Sequence, residues 1–302
     1  MVSVNDVAVP GRLLGATRIR ELAAELGIRP TKTLGQNFVH DGNTVRRIVS
    51  AARLLPDDVV LEVGPGLGSL TLGLLDAGHR VVAVEIDSAL AGRLAQTVQE
   101  LQPDNAARLV VVPDDAMTIR SLPEPVPTAL VANLPYNISV PVLLHMLATF
   151  PSIDRILVMV QSEVARRLAA KPGSKVYGSP SAKAAWYADV SLSITVSRSI
   201  FWPAPNVDSS LVSLVRRATP PGSIDRAKVF AIVDLAFAQR RKMLRSALAA
   251  LDGLGGSSAR ASELLVSAGV DPMARGETLG IEQFVAIAMA HDRRTDNDEG
   301  TN

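Results

Sequence analysis

The residues with the most specific chemistry are four in a row, Asn133-Leu134-Pro135-Tyr136, directly after an apolar run at 128–132 that is typical of a buried strand. A side-chain amide can accept a hydrogen bond, and a tyrosine ring offers a flat face for stacking. Proline restricts Leu134 to extended conformations and so fixes where its carbonyl points. Together these groups favour an amino-bearing planar base as ligand. The alternative is a proline-containing turn with a core tyrosine.

A glycine loop precedes this motif in the chain. The sequence LEVGPGLGSLT follows an apolar run, and its Gly64, Gly66 and Gly68 are spaced to let the backbone approach a ligand closely. Glu85 ends the next apolar run, where a carboxylate can accept hydrogen bonds from both hydroxyls of a ribose. Glycine loops also occur for packing alone. Loop and acid together therefore predict a nucleotide-like cofactor without deciding which one.

Two cofactors, NAD and S-adenosyl-methionine, would suit the loop and Glu85 equally. Asp115 lies just past the third apolar run, where it is placed to hold an adenine amino group. A dehydrogenase also needs a proton-relay residue such as histidine near the nicotinamide, and the sequence places none convincingly. S-adenosyl-methionine is therefore the better prediction.

These motifs lie on an alternation of strand-like and helix-like segments between residues 57 and 160. Strands that are apolar along their whole length, alternating with helices, predict a doubly wound parallel sheet covered by helices. The predicted strands are 59–63, 81–85, 108–112, 128–132 and 155–160. The helical segments 69–78, 88–101 and 139–150 each open with a serine, which favours helix N-caps. Later strands are predicted at 191–196 and 210–217.

The pattern changes near residue 219, where strand signals stop. Helices are predicted at 226–251, 257–268 and 281–291. We therefore expect an α/β domain at 1–218, whose residues 1–30 form an N-terminal extension, and a small helical domain at 219–291. A disordered tail is expected at 292–302.

Composition excludes several classes of protein. The 302 residues include no cysteine, so disulfides, thiolate nucleophiles and cysteine-ligated zinc are excluded, and the four histidines show no ligand spacing. No metal site is therefore expected. No apolar run approaches the roughly twenty residues that cross a bilayer, and the N-terminus lacks a signal-peptide pattern. We expect a cytoplasmic protein of two domains that acts as a monomer and does not bind membranes.

The formal net charge is only +1, but the segment 198–250 has nine basic residues against three acids. Charge runs are usually solvated helix faces. A contact surface for a polyanion is the alternative. The basic residues are Arg198, Arg216, Arg217, Arg226, Lys228, Arg240, Arg241, Lys242 and Arg245.

A series of motifs resembles the ribosomal RNA adenine N6,N6-dimethyltransferase family, and most closely its bacterial small-subunit branch. The resemblance spans about 31–289 and includes LEVGPGLGSLT, VEID and NLPYNIS. It continues in order with KTLGQNF at 32–38, QSEVARRL at 161–168, FWPAPNVDS at 201–209, FAQRRKMLRSAL at 237–248 and RGETLGIEQF at 275–284. The sequence departs from the family pattern at Asp114, where the family usually has glycine, and over residues 178–187.

The resemblance implies a Rossmann-like class I methyltransferase fold with a C-terminal helical domain that binds ribosomal RNA. The implied cofactor-binding residues are Asn37, Val39, Gly64, Gly66, Glu85, Ile86, Asp115, Ala116 and Asn133. The implied substrate pocket is Asn133, Leu134, Pro135 and Tyr136, with Phe201, or failing that Trp202, stacking on the other face of the base.

The expected function is methyl transfer from S-adenosyl-methionine to N6 of two adjacent adenosines near the 3′ end of small-subunit rRNA, two methyls each, in an assembling 30S particle. The alternatives are a large-subunit adenine dimethyltransferase and a catalytically inactive assembly factor of the same fold. An NAD dehydrogenase ranks third. Intact NLPY and glycine motifs disfavour the inactive alternative.

Overall fold

The structure, a computed structural model, describes residues 13–28 and 37–299. The chain divides into two compact units. The first unit comprises Met1–Ala165 and Ser191–Val215, and the second comprises Arg166–Val190 and Arg216–Asn302. The later boundary lies close to the one predicted at residue 218. The segment Arg166–Val190, however, belongs to the helical unit, whereas we predicted it within the α/β domain.

The first unit is built on a seven-stranded sheet with the order β4-β3-β2-β5-β6-β9-β7. The neighbouring pairs from β4 through to β6 are parallel, and β9 is antiparallel to β6. The strands are β2 (Val59–Val63), β3 (Arg80–Val84), β4 (Leu109–Val112), β5 (Ala129–Asn133), β6 (Arg155–Gln161), β7 (Ala188–Val196) and β9 (Ser209–Arg216). The predicted doubly wound parallel sheet is confirmed, with one antiparallel strand added.

Four helices of the first unit accompany these strands. They are α2 (Gly42–Ala51), α3 (Ser69–Asp76), α4 (Ser88–Leu101) and α5 (Ser139–Thr149). The prediction that serines cap the last three was wrong, because each serine is the first helical residue. The caps are Gly68, Asp87 and Ile138, and the Asp87 carboxylate accepts hydrogen bonds from two backbone N–H groups at the start of α4.

A second, two-stranded sheet joins distant parts of the first unit. β1 (Phe38–Val39) pairs antiparallel with β8 (Phe201–Trp202), with Phe38 opposite Trp202 and Val39 opposite Phe201. Sequence periodicity did not predict this sheet, because two residues are too few to show a period. The pairing fixes the segment before α2 against the proline-rich loop.

The N-terminal extension is helical where it is described. α1 (Ala16–Glu25) buries Ile19 and Leu22, and Arg18 pairs with Glu100 of α4 at 3.1 Å. Glu100 also pairs with Arg93 at 2.7 Å. Apolar contacts and ion pairs thus hold this helix to the first unit.

The second unit is helical. Its core includes an aromatic cluster in which the Phe237 ring lies 5.8 Å from that of Tyr177 and 6.2 Å from that of Phe284. The helices that lie wholly or partly in it are α6 (Ser162–Leu168), α7 (Ser179–Tyr187), α8 (Arg226–Ala238), α9 (Leu244–Ala247), α10 (Ser258–Ser267) and α11 (Ile281–Glu299). Short 3₁₀ turns occur in both units, at Pro103–Arg108 and Arg198–Ile200 in the first and at Leu248–Ala250 and Gly276–Thr278 in the second.

Two predictions about these helices need correction. The continuous helix predicted at 226–251 breaks after Ala238. At the start of the next helix, the Leu244 N–H donates to the carbonyl of Ala274, which lies outside any helix, at 2.8 Å. The tail predicted to be disordered from residue 292 is helical to Glu299, and residues 300–302 lie outside the described part. Within the described residues, no helix is both long enough and apolar enough to span a membrane.

Candidate active site

A cavity of about 370 Å³ lies in the first unit at the carboxyl edge of the sheet. Parallel strands end at the same edge, so the loop after β2, the residues after β3 and the end of β5 meet there. The lining residues are Asn37, Phe38, Val39, Glu62, Gly64, Pro65, Gly66, Ser69, Leu70, Glu85, Ile86, Asp87, Leu90, Asn133 and Pro135. The sequence-predicted residues Asn37, Val39, Gly64, Gly66, Glu85, Ile86, Asn133 and Pro135 are therefore brought together.

The glycine loop needs glycine for conformation and for space. Gly66 has a φ of +57°, a region that other residues rarely adopt. A Cβ added at Gly66 would stand 2.9 Å from the Phe38 ring, which forms another part of the cavity wall. The loop can therefore bring bare backbone to the cavity, as the spacing of its glycines predicted.

The Glu85 carboxylate is held by the loop beside it. One oxygen accepts from the Gly66 N–H and the other from the Asp87 N–H, each at 3.1 Å. Burial raises the pKa of Glu85, while the two N–H groups act in the opposite direction. Each carboxylate oxygen can accept a further hydrogen bond. Glu85 is thus an oriented acceptor on the cavity wall.

Glu62 is a lining residue that the sequence prediction missed. It lies inside β2, is only 2% exposed, and accepts a hydrogen bond from the Thr71 hydroxyl at 2.6 Å. Burial is the main cause that raises the pKa of Glu62 to about 8. A carboxyl group within an otherwise apolar strand was the available signal, because such a residue rarely lies buried without a reason.

The NLPY segment is fastened at several points. The Asn133 side-chain amide donates to the Asn37 carbonyl at 3.1 Å, and the Leu134 N–H donates to the Met159 carbonyl at 3.1 Å. The Asn133 Oδ1 atom is buried and has no hydrogen-bond partner. Buried polar atoms are normally paired. Asn133, a residue of the cavity lining, therefore has an acceptor oxygen that its neighbours leave unused.

Several predicted residues do not line the cavity. Leu134 is buried with 1% exposure, and Tyr136 is half-buried, with its hydroxyl oxygen 2.6 Å from Ser209 Oγ. Asp115 and Ala116 follow β4 and are not among the lining residues, so their cofactor role stays a prediction. Asp115 instead caps a turn by accepting from the Met117 N–H at 2.8 Å.

Phe201 lies outside the cavity lining. Its ring is 2% exposed and belongs to the hydrophobic core of the first unit, so its predicted stacking on the substrate base stays a prediction. Its partner across the small sheet, Val39, is buried with it. The neighbouring Trp202 is partly exposed and is the aromatic residue of this loop that remains accessible.

The sequence prediction also missed apolar and backbone contributors to the wall, because nothing in local sequence marks a residue as facing a cavity. They are Phe38, Pro65, Ser69, Leu70, Asp87 and Leu90. Within the described ranges, no group of three or more His, Asp or Glu residues has a geometry that would hold a metal ion.

In the second unit, the basic cluster divides into paired and exposed residues. Arg240 pairs with Glu277, Nε to Oε2 at 2.7 Å, and donates to the Lys175 carbonyl. Arg241 and Lys242 are exposed in the break between α8 and α9. Arg240 therefore has a structural partner, whereas Arg241 and Lys242 face solvent.

Comparison with known proteins decides the family. A family model described as ribosomal RNA adenine dimethylase matches residues 29–290. The ribosomal RNA small subunit methyltransferase A of Streptomyces coelicolor is 64% identical over 280 residues, covering 92% of this chain and 97% of that protein. This chain belongs to the ribosomal RNA adenine dimethylase family. The protein of the same name from Thermobifida fusca is 62% identical, covering 92% of this chain and 96% of the relative.

Solved structures agree with the family. A dimethyladenosine transferase from Plasmodium falciparum has the same fold, with a TM-score of 0.72, 22% identity and coverage of 85% of this chain and 98% of that one. The 23S rRNA methyltransferase ErmE has a TM-score of 0.60 at 28% identity, covering 85% of this chain and all of that one. The predicted class I methyltransferase fold is confirmed.

As a member of the ribosomal RNA adenine dimethylase family, the chain is an S-adenosyl-methionine-dependent methyltransferase with an rRNA substrate. The cavity fits that cofactor on its own chemistry. It offers an oriented carboxylate at Glu85 for ribose hydroxyls, a glycine backbone at Gly64 and Gly66, and apolar surface from Phe38 and Leu90. The predicted enzyme class and cofactor are confirmed.

Proposed function

We propose that this enzyme dimethylates N6 of two adjacent adenosines near the 3′ end of small-subunit rRNA, within an assembling 30S particle. The small-subunit relatives, at up to 64% identity across nearly their whole length, support the choice of subunit. The observation that carries the chemistry is the unpartnered Asn133 Oδ1 at the cavity. It is an acceptor of the kind an adenine amino group requires.

We infer the following contacts with the cofactor. Glu85 would accept from the ribose hydroxyls, Ile86 would pack beside the adenine, and the backbone at Gly64 and Gly66 would lie against the rest of the molecule. Bound there, the cofactor would supply an electrophilic methyl group on a sulfonium. The Asn133 amide, held by the Asn37 carbonyl, belongs to the same cavity lining.

An adenine amino nitrogen is a poor nucleophile, because its lone pair is delocalised into the ring. Asn133 Oδ1 and the Leu134 carbonyl each accept one N6 hydrogen, which favours a more tetrahedral nitrogen with its lone pair aimed at the methyl group. Proline at 135 restricts the backbone on which this carbonyl lies. Tyr136 supplies a stacking face worth about 1–3 kcal/mol in comparable platforms.

No general base is assigned to the reaction. Once methylated, N6 is cationic and acidic, so its proton passes to water after transfer. The residues of the site therefore act by binding and aiming, which agrees with the cavity lining, since the NLPY segment contributes to it the amide Asn133 and Pro135.

Two alternatives have less support. A large-subunit activity is represented by ErmE, which is 28% identical, far below the small-subunit relatives. An inactive assembly factor would not need an intact glycine loop or a fastened Asn133, and both are present. We further propose that the enzyme acts as a monomer in the cytoplasm and needs no metal ion for transfer.

The test uses small-subunit particles from cells that lack the gene. The purified chain and labelled S-adenosyl-methionine are added, and methylated nucleotides are mapped by mass spectrometry. We expect two adjacent dimethyladenosines near the 3′ end. Large-subunit particles serve as the control. Methylation of the large-subunit RNA, or of single unpaired sites in the small-subunit RNA, would contradict the proposal.

A further inference from the structure

Ser209 has no role in the mechanism above, yet it touches the residue that is proposed to stack on the base. It is the first residue of β9, and it is completely buried. Its Oγ lies 2.6 Å from the Tyr136 hydroxyl oxygen. That separation is at the short end for hydrogen bonds between hydroxyl groups. The contact is therefore well formed and shielded from water on the serine side.

The direction of β9 explains how Ser209 reaches the active site. β9 runs antiparallel to β6, and Ser209 lies opposite Gln161 at the carboxyl end of β6. On the other side of β6, Met159 lies opposite Asn133 of β5. The start of the antiparallel strand β9 thus lies at the same edge of the sheet as the end of β5, which carries NLPY, with β6 between them. A parallel strand would present its first residue at the opposite edge.

The NLPY segment is held before Tyr136 by the Asn133 side chain and the Leu134 backbone, whereas the Tyr136 hydroxyl is held by Ser209. Asn133 and Leu134 bond to Asn37 and Met159. Backbone anchors alone leave the first side-chain torsion of Tyr136 free to choose among staggered rotamers. A hydrogen bond to the hydroxyl, at the far end of the side chain, fixes the direction in which the ring points. We propose that Ser209 is a positioning residue that holds the Tyr136 ring in the position from which it stacks on the base.

This proposal rests on the proposed function, because it refines the capture of the adenine. Dimethylation requires N6 to be aimed twice, the second time carrying a methyl group and only one hydrogen. That second round has lost one of the two amino-group hydrogen bonds. It therefore depends more on the position of the Tyr136 ring than the first round does. Loss of the tether should slow the second methylation more than the first.

The test is a double-mutant cycle on the Tyr136–Ser209 pair. Ser209→Ala and Tyr136→Phe each remove the same hydrogen bond and keep the ring. Net losses of about 0.5–1.5 kcal/mol for such bonds correspond to a two- to twelve-fold fall in rate. At saturating particles, we expect each single variant to methylate about two- to twelve-fold more slowly than wild type. The double variant should be no slower than either single variant.

Ser210→Ala is the matched control. Ser210 is the next residue of β9 and is also buried, but its hydroxyl contacts Ser162 at 2.8 Å instead of Tyr136. We expect this variant to retain the wild-type rate and ratio of products. Monomethylated adenosine should accumulate with Ser209→Ala and with Tyr136→Phe, but not with Ser210→Ala. In all three variants, the affinities for particles and for S-adenosyl-methionine and the melting temperature should stay near wild type.

Three results would overturn the proposal. One is a double variant whose loss equals the product of the single losses. Another is Ser209→Ala with wild-type rate and product ratio. The third is a loss in Ser209→Ala that is matched by Ser210→Ala or by a loss of cofactor affinity, which would indicate a general structural role. An inactive wild-type chain would contradict the proposed function itself, so the two failures are distinguishable.

Discussion

Replacing Glu85 tests the cofactor end of the site. Glu85→Ala removes both oxygens that face the cavity, and Glu85→Gln keeps the shape and one oxygen but removes the charge. Hydrogen bonds to a charged group contribute about 1.5–3 kcal/mol, and about 1.4 kcal/mol is a factor of ten in a dissociation constant. We therefore expect Glu85→Ala to weaken S-adenosyl-methionine binding by roughly ten-fold or more, and Glu85→Gln to weaken it less.

The structure adds a cost that must be separated from binding. The Gly66 and Asp87 N–H groups both donate to Glu85, and in the alanine variant they lose this partner. Part of the effect will therefore appear as a lower melting temperature of the free enzyme. Glu85→Gln can still accept one of these bonds, so it should melt closer to wild type.

Isothermal titration calorimetry with S-adenosyl-methionine is the assay. Asp154→Ala is the control, because Asp154 is an exposed carboxylate at the start of β6, on the opposite edge of the sheet. It removes the same charge away from the cavity and should leave cofactor affinity unchanged. Particle binding should change little in any of the three variants. Unaltered cofactor affinity in folded Glu85→Ala would refute the ribose role.

Two further predictions concern protonation and RNA contact. Burial raises the pKa of Glu62 from an ordinary value of 4.5 to about 8, so its contribution to stability is fully present below pH 4.5 and is lost as pH rises through about 8. The cofactor-free enzyme should lose melting temperature as pH rises from about 4.5 to about 8, and Glu62→Gln should lose less; parallel curves would contradict the assignment. The double variant Arg241→Glu, Lys242→Glu should bind particles more weakly and with a flatter salt dependence, because both side chains contact phosphate in this account. An unchanged salt slope would instead indicate that both are solvated surface residues without a phosphate contact.

Much of the fold follows from local sequence. The β-branched runs predicted the central strands to within a residue or so, and α4 has the predicted bounds, because buried parallel strands and amphipathic helices have strong local patterns. The small β1–β8 sheet was missed because it depends on a pairing between residues far apart in the chain. The break after Ala238 was missed because no glycine or proline marks it in residues 239–243.

The candidate site was only partly predictable. Gly66, Glu85 and Asn133 were found because their residue types are unusual at strand ends. Glu62 was overlooked within an apolar strand, and the unpartnered state of Asn133 Oδ1 became visible only once its amide was seen to bond Asn37. The burial of Phe201 was missed for a related reason. Its neighbours across the sheet bury it, and no local pattern reports such a contact.

The central claim is that Asn133 aims the adenine amino group. The direct measurement is the single-turnover rate of methyl transfer by Asn133→Ala, with saturating S-adenosyl-methionine and bound small-subunit particles. Removing a preorganised hydrogen-bonding group of this kind costs on the order of a hundred- to a thousand-fold in rate, and we expect a fall of that size with particle binding retained. Cofactor affinity is measured alongside, because Asn133 lines the same cavity. A near wild-type rate at saturating cofactor would contradict the amino-group clamp.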